Sequence, residues 1–457
     1  MGRLNPLIFR EYDIRGLVGP DLDDDTVGTI ARAFGTWLRG HGATRAVVGA
    51  DCRLSSPGFR EVVIAGLNDT GIDVIDLGMV TTPLTYFALH HLDIGAGIMI
   101  TGSHNPKEFN GLKMCAGKKS VFGAQIQEIR RIAESGQFLH GRGGRRTFDI
   151  VPDYMERIVS DCRIRPERRF KVVVDAGNGT GGITAVPLLR RLGCEVIEIF
   201  CSPDGNFPNH HPDPTVMENL VHLQEAVVSN GADVGFGFDG DADRIGVVAE
   251  DGSVVMGDMI LLTLALDLLK ELPGAEIVSE VKGSQVLFEQ VKLAGGRPVM
   301  WKVGHSLIKA RMAETDVPLG GEISGHMFFN YRWYGFDDAV YAATRYLEVL
   351  DAFSGPASAM LASIPKTFST PELRVDCPDQ IKVDVVEHLK DHYQGAGHDV
   401  VTIDGARVLF QGGWGLVRAS NTQPVLVLRF EADTPENLEI IRSDMMERAA
   451  AAVRSFS

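Results

Sequence analysis

The chain has 457 residues, of which 44% are hydrophobic and 23% are charged, and its formal net charge is −15. Since domains run to roughly 100–200 residues, we expect several globular domains and exclude a disordered or fibrous protein. The acidic balance also argues against nucleic acid as a partner, because a phosphate backbone is bound by a basic surface.

Helices and strands alternate along most of the chain. Apolar spacing predicts a helix over 26–38 and a strand over 45–49. The same rhythm continues with strands at 171–174, 195–199, 275–278 and 298–301 and with helices at 185–192, 259–269 and 286–290. After Pro365 and Pro371 it changes to a helix near 380–392, short strands around Val400, Val408 and Val425, and a final helix from Glu436. We therefore predict three α/β domains (1–150, 151–253 and 254–366) and a smaller α+β domain (367–457).

Neither the cysteines nor the apolar segments indicate an exported or membrane protein. The six cysteines form no CxxC pair, which favours reduced thiols over a zinc site or a disulfide framework. Residues 1–10 lack the apolar core of a signal peptide, and the apolar stretch 259–269 is too short to span a bilayer. We expect a cytoplasmic protein that does not bind membranes.

The first motif that suggests chemistry is Thr-Gly-Ser-His-Asn-Pro at 101–106. It follows the apolar run 94–100, so Ser103 is predicted to lie in a tight loop after a strand, where α/β sheets commonly place reactive groups. Gly102 permits a close backbone approach, and His104 offers a polar contact. A polar turn without chemistry is the alternative for this motif alone.

Three carboxylates, those of Asp239, Asp241 and Asp243, occupy a short connection between the apolar runs 234–238 and 245–249. Their mutual repulsion calls for a cation, and magnesium accepts a few carboxylates together with a phosphate oxygen. A solvated acidic hairpin or a calcium loop is the alternative. The motif, however, lacks the later bidentate Glu of an EF-hand and is flanked by strands.

Two further motifs suggest contacts with a sugar and with a phosphate. Glu322 and Ser324 lie two residues apart, so in an extended segment both side chains would point the same way, toward paired sugar hydroxyls. His326 nearby is a candidate ligand contact or proton carrier, or else a structural residue. Arg418 begins a polar loop at 418–424 that suits a phosphate dianion, with an ordinary turn as the alternative.

These four motifs, in this order and at this spacing, resemble the α-D-phosphohexomutase family, specifically its bacterial phosphomannomutase/phosphoglucomutase branch. Arg-Glu-Tyr-Asp-Ile-Arg-Gly at 10–16, Val-Asp-Ala-Gly-Asn-Gly at 174–179 and Pro-Asn-His-His-Pro-Asp-Pro at 208–214 extend the resemblance over nearly the whole chain. It implies an α/β fold with three related mixed-sheet α/β domains plus a smaller C-terminal α+β domain around a central cleft. Ala242 stands where the family often has Gly, a change that should not remove a metal ligand.

The resemblance also implies roles for individual residues. Ser103 would be the phosphoserine, and its phosphate with Asp239, Asp241 and Asp243 would bind one Mg²⁺ ion per chain. The implied catalytic residues are Ser103, His104, Lys113, Arg244, Arg15, His305 and His326. The implied substrate-binding residues are Tyr12, Lys282, Glu322, Ser324, Arg418, Ser420, Asn421 and Thr422.

The activity implied is the reversible interconversion of hexose 1-phosphate and hexose 6-phosphate, for mannose and glucose. Glucose 1,6-bisphosphate would be both intermediate and activator. His305, His326 and Lys282 are the candidate general bases, and a buried Lys282 flanked by positive charge would have a lowered pKa. We expect the fourth domain to swing as a lid, and we expect a monomer, with a weak dimer as the alternative.

Three other functions are weighed against this one. Phosphoglucosamine mutase is a sister family that typically has Gln where this chain has Ile323. A magnesium-dependent sugar-phosphate phosphatase would result if water replaced the sugar as acceptor. A non-enzymatic sugar-phosphate sensor would not need both a presentable Ser103 and three aspartates.

Overall fold

The computed structural model of the chain describes residues 4–420 and 423–456. Within these residues four β-sheets follow one another, with seven, five, four and six strands. The first three sheets mix parallel and antiparallel pairs and pack against helices, whereas the fourth is antiparallel. This is the predicted architecture of three α/β domains and a smaller α+β domain. Among the described residues, none of the helices combines the length and the apolar character needed to cross a bilayer.

The first sheet has the strand order β1-β5-β4-β2-β3-β7, and β6 pairs with β5. Its strands are β1 (Ile14–Leu17), β2 (Arg45–Ala50), β3 (Asp73–Met79), β4 (Ala96–Ile100), β5 (Phe109–Ala116), β6 (Lys119–Ser120) and β7 (Arg145–Thr147). Its helices are α1 (Asp24–Gly40), α2 (Ser56–Asp69), α3 (Thr82–His91) and α4 (Ala124–Ser135), after a short 3₁₀ turn at Pro6–Ile8. The parallel strands β2 and β4 are neighbours, with Ala50 opposite Ile100. The loops that follow these two strands therefore lie side by side.

Helix α1 illustrates how the sequence sets these elements. Asp23 caps its first turn by accepting a hydrogen bond from the Thr26 backbone N–H at 2.8 Å. Val27, Ile30 and Phe34 then recur on one face, and all three are fully buried. The predicted helix at 26–38 is confirmed.

The second sheet has the order β12-β11-β10-β8-β9. Its elements are α5 (Val151–Asp161), β8 (Lys171–Asp175), α6 (Gly182–Arg191), β9 (Glu195–Ile199), a 3₁₀ turn (Met217–Leu220), α7 (Val221–Asn230), β10 (Val234–Phe238), β11 (Ile245–Ala249) and β12 (Val254–Val255). Strands β10 and β11 form an antiparallel pair with Phe238 opposite Ile245. The aspartate motif is therefore the loop of a hairpin, bounded by the two strands that the apolar runs predicted.

The third sheet has the order β14-β13-β15-β16. Its elements are α8 (Gly257–Glu271), β13 (Glu276–Glu280), α9 (Gln285–Leu293), β14 (Arg297–Trp301), α10 (His305–Thr315), β15 (Leu319–Gly321), β16 (Met327–Phe329), α11 (Ala339–Phe353) and α12 (Ala357–Ala362). Strand β12 lies just past the predicted boundary at 253, yet it pairs with β11 of the second sheet. The domain boundaries stay predictions.

The fourth sheet is built from β17 (Phe368–Ser369), β18 (Leu373–Asp376), β19 (Val400–Val401), β20 (Ala406–Phe410), β21 (Gly413–Ala419) and β22 (Val425–Ala432). Helices α13 (Lys382–Gly395) and α14 (Pro435–Phe456) cover it. One buried hydrophobic cluster runs through the first three domains, whereas the fourth domain has a cluster of its own and shares a small one, around Val281, Trp414 and Leu416, with the third domain. Apolar packing therefore joins the first three domains into one body more strongly than it joins the fourth to them.

Candidate active site

Ser103 lies in a tight loop directly after β4, as predicted. It is buried, and its backbone adopts the left-handed conformation with φ of +51°. The Ser103 N–H donates to Thr101 Oγ1 at 2.8 Å. Its hydroxyl donates to Asp239 Oδ2 at 3.0 Å and lies 3.1 Å from His104 Nδ1. The structure thus aims one hydroxyl at the hairpin of the second domain.

Asp239, Asp241 and Asp243 converge in that hairpin with no side-chain exposure. One carboxylate oxygen from each lies within 4.8 Å of the others. Within the described part of the chain, Oδ1 of Asp241 and Oδ1 of Asp243 have no hydrogen-bond partner. Convergent buried carboxylates with open oxygens are the donor set that hard divalent cations prefer, so the residues fit a metal ion.

Lys113 on β5 supplies the positive charge nearest to these carboxylates. Its Nζ lies 2.7 Å from Asp241 Oδ2 and 2.5 Å from Asp243 Oδ2. Burial favours the neutral form of the ammonium, but the three aspartates outweigh burial and raise the pKa of Lys113. Burial likewise favours protonated Asp241, but the ammonium of Lys113 outweighs it and lowers the pKa of Asp241. For Asp239, burial and the neighbouring carboxylates together raise the pKa well above its ordinary value.

His326 lies between the aspartate hairpin and the third domain, with both ring nitrogens engaged. Its Nε2 accepts a hydrogen bond from Arg244 Nε at 3.0 Å. Its Nδ1 lies 3.0 Å from Asp337 Oδ2 and 3.1 Å from the Asp243 backbone oxygen, both of which are acceptors. This pattern requires a neutral ring with the proton on Nδ1, so His326 has no lone pair left for a substrate proton.

His305 is the first residue of α10 and stacks on His326, with the ring centroids 5.3 Å apart. Burial, aided by the charge of Lys309, lowers the pKa of His305 well below its ordinary value, so its ring is neutral. Its Nδ1 lies 3.9 Å from Asp337 Oδ2 and has no hydrogen-bond partner among residues 4–420 and 423–456. Of the three candidate bases, His305 is the one with an open ring nitrogen.

The prediction of a lowered pKa for Lys282 is wrong. Its ammonium lies 2.5 Å from Glu372 Oε1 and 3.4 Å from Glu280 Oε2, not beside positive charge. Burial would lower the pKa of Lys282, but the two carboxylates outweigh it and the pKa is raised. Burial in turn raises the pKa of Glu280 to about 7. Lys282 is therefore protonated and is not available as a general base.

The prediction of an extended segment at Glu322 and Ser324 is also wrong. Residues 322–325 form a turn between β15 and β16, closed by a 3.0 Å hydrogen bond from the Gly325 N–H to the Glu322 backbone oxygen. Gly325 has φ of +89°, which favours glycine. The Glu322 carboxylate is buried and accepts a hydrogen bond from the Gly304 N–H at 2.7 Å. Ser324 is partly exposed at the tip of the turn.

Tyr12 and Arg15 reach the site from the first domain. The Tyr12 hydroxyl donates to the Val303 backbone oxygen at 2.8 Å, beside the His305 ring. The Arg15 guanidinium donates to Asn105 Oδ1 at 2.6 Å, within the Ser103 loop. These contacts tie the N-terminal segment to the third domain and to the serine loop.

The residues predicted to bind a phosphate lie in the fourth domain. Arg418 is the penultimate residue of β21 and so lies in a strand, not in the predicted loop, and its guanidinium Nη2 lies 3.1 Å from Asp404 Oδ2. The same Asp404 oxygen accepts a hydrogen bond from the Val303 N–H at 3.0 Å. Ser420 directly follows the strand, while Asn421 and Thr422 lie outside the described residues. Asp404 thus connects the Arg418 group to the segment that bears His305.

Several residues of the site were not predicted from the sequence. Asp337, Glu280, Glu372 and Asp404 each hold a predicted site residue, and of these only Glu280 lies near its partner in the sequence, two residues before Lys282. Arg53 is fully buried, and its Nη2 donates to the Ser103 backbone oxygen at 2.7 Å. Its position just after the predicted strand 45–49 was the only signal that could have indicated a role near the Ser103 loop.

A buried hydroxyl, a carboxylate site for a cation and several fixed positive charges are the parts that phosphoryl transfer requires. The fold and site therefore define a phosphotransfer enzyme. Four family models for phosphoglucomutase/phosphomannomutase match the chain in order: α/β/α domain I over residues 6–140, domain II over 152–252, domain III over 256–368 and the C-terminal domain over 372–448. The chain belongs to the phosphoglucomutase/phosphomannomutase family.

Individual relatives are similar to this chain over nearly its full length. A phosphomannomutase/phosphoglucomutase from Pseudomonas aeruginosa is 45% identical over 436 residues, which cover 95% of this chain and 94% of that protein. A phosphoglucomutase from Neisseria gonorrhoeae is 45% identical over 441 residues, covering 95% of each chain. The crystal structure of a phosphoglucomutase/phosphomannomutase family protein from Burkholderia thailandensis has a TM-score of 0.93 at 43% identity and 98% coverage of both chains.

Proposed function

We propose that this enzyme reversibly interconverts hexose 1-phosphate and hexose 6-phosphate, with mannose and glucose as its sugars. Phosphorylated Ser103 would carry the phosphoryl group, and a hexose 1,6-bisphosphate would be the intermediate. The observation that carries the proposal is the 3.0 Å hydrogen bond from the Ser103 hydroxyl to Asp239, one of three converging buried carboxylates. Relatives at 45% identity that are named for both sugars support the substrate class.

The proposed cofactor is one Mg²⁺ ion per chain. Asp239, Asp241 and Asp243 would hold it together with an oxygen of the Ser103 phosphate, which fits their open buried oxygens. When bound, a magnesium ion neutralises charge on the transferring phosphoryl group. Lys113 and Arg244 add fixed positive charge on either side of the hairpin.

In the forward half-reaction, the bond between phosphorus and Ser103 Oγ breaks while a bond forms from phosphorus to the free hydroxyl of a hexose monophosphate. That hydroxyl loses its proton to a base, and we assign this role to His305 because its ring is neutral and its buried Nδ1 has no hydrogen-bond partner among the described residues. The bisphosphate then turns over and returns its other phosphoryl group to Ser103. His104, whose Nδ1 lies 3.1 Å from Ser103 Oγ, is placed to exchange the serine proton.

The sugar phosphate must bind in two orientations, with either its 1-position or its 6-position toward Ser103. The same binding groups must therefore accept both orientations. Glu322 and Ser324 would bind sugar hydroxyls, and Tyr12, Arg15 and Lys282 would line the entrance. The non-reacting phosphate would be held by Arg418, Ser420, Asn421 and Thr422. Because the fourth domain has a separate hydrophobic cluster, we propose that it closes over the substrate and keeps water from the bisphosphate.

The test is a coupled assay of mannose 1-phosphate and glucose 1-phosphate with Mg²⁺ and a trace of glucose 1,6-bisphosphate. Wild type is compared with Ser103→Ala and with the exposed-residue control Ser455→Ala. We expect wild type and the control to form both hexose 6-phosphates and Ser103→Ala to be nearly inactive. Conversion of glucosamine phosphate alone would favour the sister mutase, and release of inorganic phosphate would favour a phosphatase.

A further inference from the structure

We propose that Arg53 is a positioning residue for phosphoryl transfer. It fixes the direction of the Ser103 side chain by donating hydrogen bonds to the backbone carbonyl groups of the Ser103 loop. The inference rests on the proposed role of Ser103 as the phosphoryl carrier. It assigns a function to the segment after β2, which none of the sequence motifs covers.

The guanidinium of Arg53 is fully buried, and all five of its N–H donors have acceptors. Four of them donate to carbonyl oxygens of the segment from Ser103 to Phe109, which includes the first residue of β5, and the fifth donates to a carboxylate. The distances are 2.7 Å to Ser103 O, 2.6 Å to Asn105 O, 2.6 Å to Pro106 O, 2.8 Å to Phe109 O and 3.1 Å to Asp51 Oδ2. One side chain thus satisfies four backbone acceptors of this segment.

The charge of Arg53 is balanced within the same cluster. Asp51 Oδ2 accepts from the guanidinium and also from the Gly102 N–H, at 3.2 Å. Asp51 Oδ1 accepts from the Arg53 backbone N–H at 3.0 Å. Because the ion pair is buried and locally neutral, Arg53 acts on the loop through directed hydrogen bonds more than through a long-range field.

The hydrogen bonds dictate where the reactive hydroxyl points. The Ser103 carbonyl turns toward Arg53 while the residue has φ of +51°, and the hydroxyl emerges on the other side, 3.0 Å from Asp239. Gly102 is needed for this approach, since a Cβ there would lie 2.5 Å from the Arg53 guanidinium carbon. Gly240 of the aspartate hairpin approaches the same carbonyl group, because a Cβ there would lie 2.5 Å from the Ser103 backbone oxygen.

The sheet brings the two loops together from distant parts of the sequence. Strands β2 and β4 are parallel neighbours, and Arg53 and Ser103 each lie three residues past the paired ends Ala50 and Ile100. The Arg53 guanidinium also lies 5.2 Å from the Phe207 ring centroid in the second domain. Arg53 therefore links the serine loop both to its own sheet and to the domain that carries the aspartates.

Lysine cannot make the same hydrogen bonds, because its compact ammonium has three donors and lacks the planar fork that lets arginine reach four carbonyl groups. Since a displacement of about 1 Å at a reacting group can cost roughly 100-fold in rate, we expect Arg53→Lys to lower kcat about 100-fold. Arg53 contacts loop backbone and not the binding groups, so the KM for hexose phosphates should change by less than about threefold.

The experiment compares wild type, Arg53→Lys and the matched control Arg345→Lys. Arg345 is another buried arginine, and its contacts are with Glu348, at 2.9 Å, and with Tyr341 and Phe329, all in the third domain. For each protein we would measure kcat, KM, the thermal midpoint, and the rate at which glucose 1,6-bisphosphate phosphorylates Ser103, followed by intact mass. The expected result is slow phosphorylation and low kcat for Arg53→Lys alone, at a temperature where all three are folded.

Gly102→Ala provides a second route to the same perturbation, because the added methyl displaces the guanidinium while Arg53 is retained. It should show the same loss of kcat with little change in KM, and it keeps the test decisive if Arg53→Lys does not fold. Values of kcat for both variants within about threefold of the Arg345→Lys value would overturn the inference. A wild-type protein that neither phosphorylates Ser103 nor converts either sugar would overturn the proposed function itself.

Discussion

Replacing Lys113 with Met tests how the buried aspartates are stabilised when no metal is bound. Lys113 Nζ lies 2.7 Å from Asp241 and 2.5 Å from Asp243, and neither carboxylate has any exposed surface. Methionine keeps much of the apolar stem but removes the ammonium. The variant therefore leaves a cluster of buried carboxylates without its nearest cation.

Removal of one partner from a buried ion pair typically costs about 3–5 kcal/mol of unfolding free energy. Because the first three domains share one buried hydrophobic cluster, we treat them as one large unfolding unit, and roughly 2–4 °C per kcal/mol predicts a thermal midpoint about 10 °C lower in the absence of metal. A bound divalent cation supplies the missing charge, and at about 100 times its Kd it returns about 2.7 kcal/mol. Because the pKa of Asp241 rises once the ammonium is gone, the deficit without metal should grow as the pH rises above about 4.

The assay is calorimetric unfolding in a chelator and across a Mg²⁺ titration. Lys270→Met is the control, because Lys270 is exposed on α8 and pairs with Asp267 at 3.1 Å. Its midpoint should stay within the shift that about 1 kcal/mol produces. Two results would refute the reasoning: an unchanged midpoint for Lys113→Met in the chelator, or a Mg²⁺-induced increment no larger than that of wild type.

Three further outcomes are expected. Glu372→Gln frees the Lys282 ammonium from a carboxylate 2.5 Å away, so the KM for hexose phosphates should fall about fivefold, the equivalent of about 1 kcal/mol; an unchanged KM contradicts this. Arg407→Lys leaves the Val281 or Gly283 carbonyl with no donor from Arg407, which should cost about 1–3 kcal/mol in chemical denaturation and raise KM by loosening the Lys282 loop. Burial raises the pKa of Asp338 to about 7, so the folded state binds a proton that the unfolded state lacks between about pH 4 and 7, and stability falls as the pH rises through that window. In urea titrations, wild type should lose on the order of 2–3 kcal/mol more unfolding free energy between about pH 5 and 7 than Asp338→Asn. Equal slopes of unfolding free energy against pH for the two proteins would count against this.

The sequence pattern correctly predicted those parts of the site whose functional residues all lie in one short segment. The apolar runs at 234–238 and 245–249 are the strands β10 and β11, so the aspartate hairpin could be drawn before the structure was known. The Ser103 loop after β4 follows from the same logic, because a buried strand and a Gly-Ser turn are both local features.

The sequence pattern did not predict contacts between residues that are far apart in the chain. The raised pKa of Lys282 comes first from Glu280, two residues before it, and then from Glu372, which is 90 residues away and outside any local window. The turn at 322–325 was mistaken for an extended segment because Gly325, which permits the turn, also fits a loose strand. Arg53 and Ser103 are 50 residues apart and meet only because β2 and β4 are neighbours in the sheet.

The most direct test of the central claim is to locate the phosphoryl group after the enzyme is mixed with glucose 1,6-bisphosphate. Peptide mass spectrometry should find one phosphoryl group per chain, on Ser103. Addition of mannose 1-phosphate should then remove it at a rate no slower than turnover, with formation of mannose 1,6-bisphosphate. Full mutase activity in a protein whose Ser103 is never phosphorylated, or a phosphoryl group that stays on Ser103 while the sugars interconvert, would contradict the account.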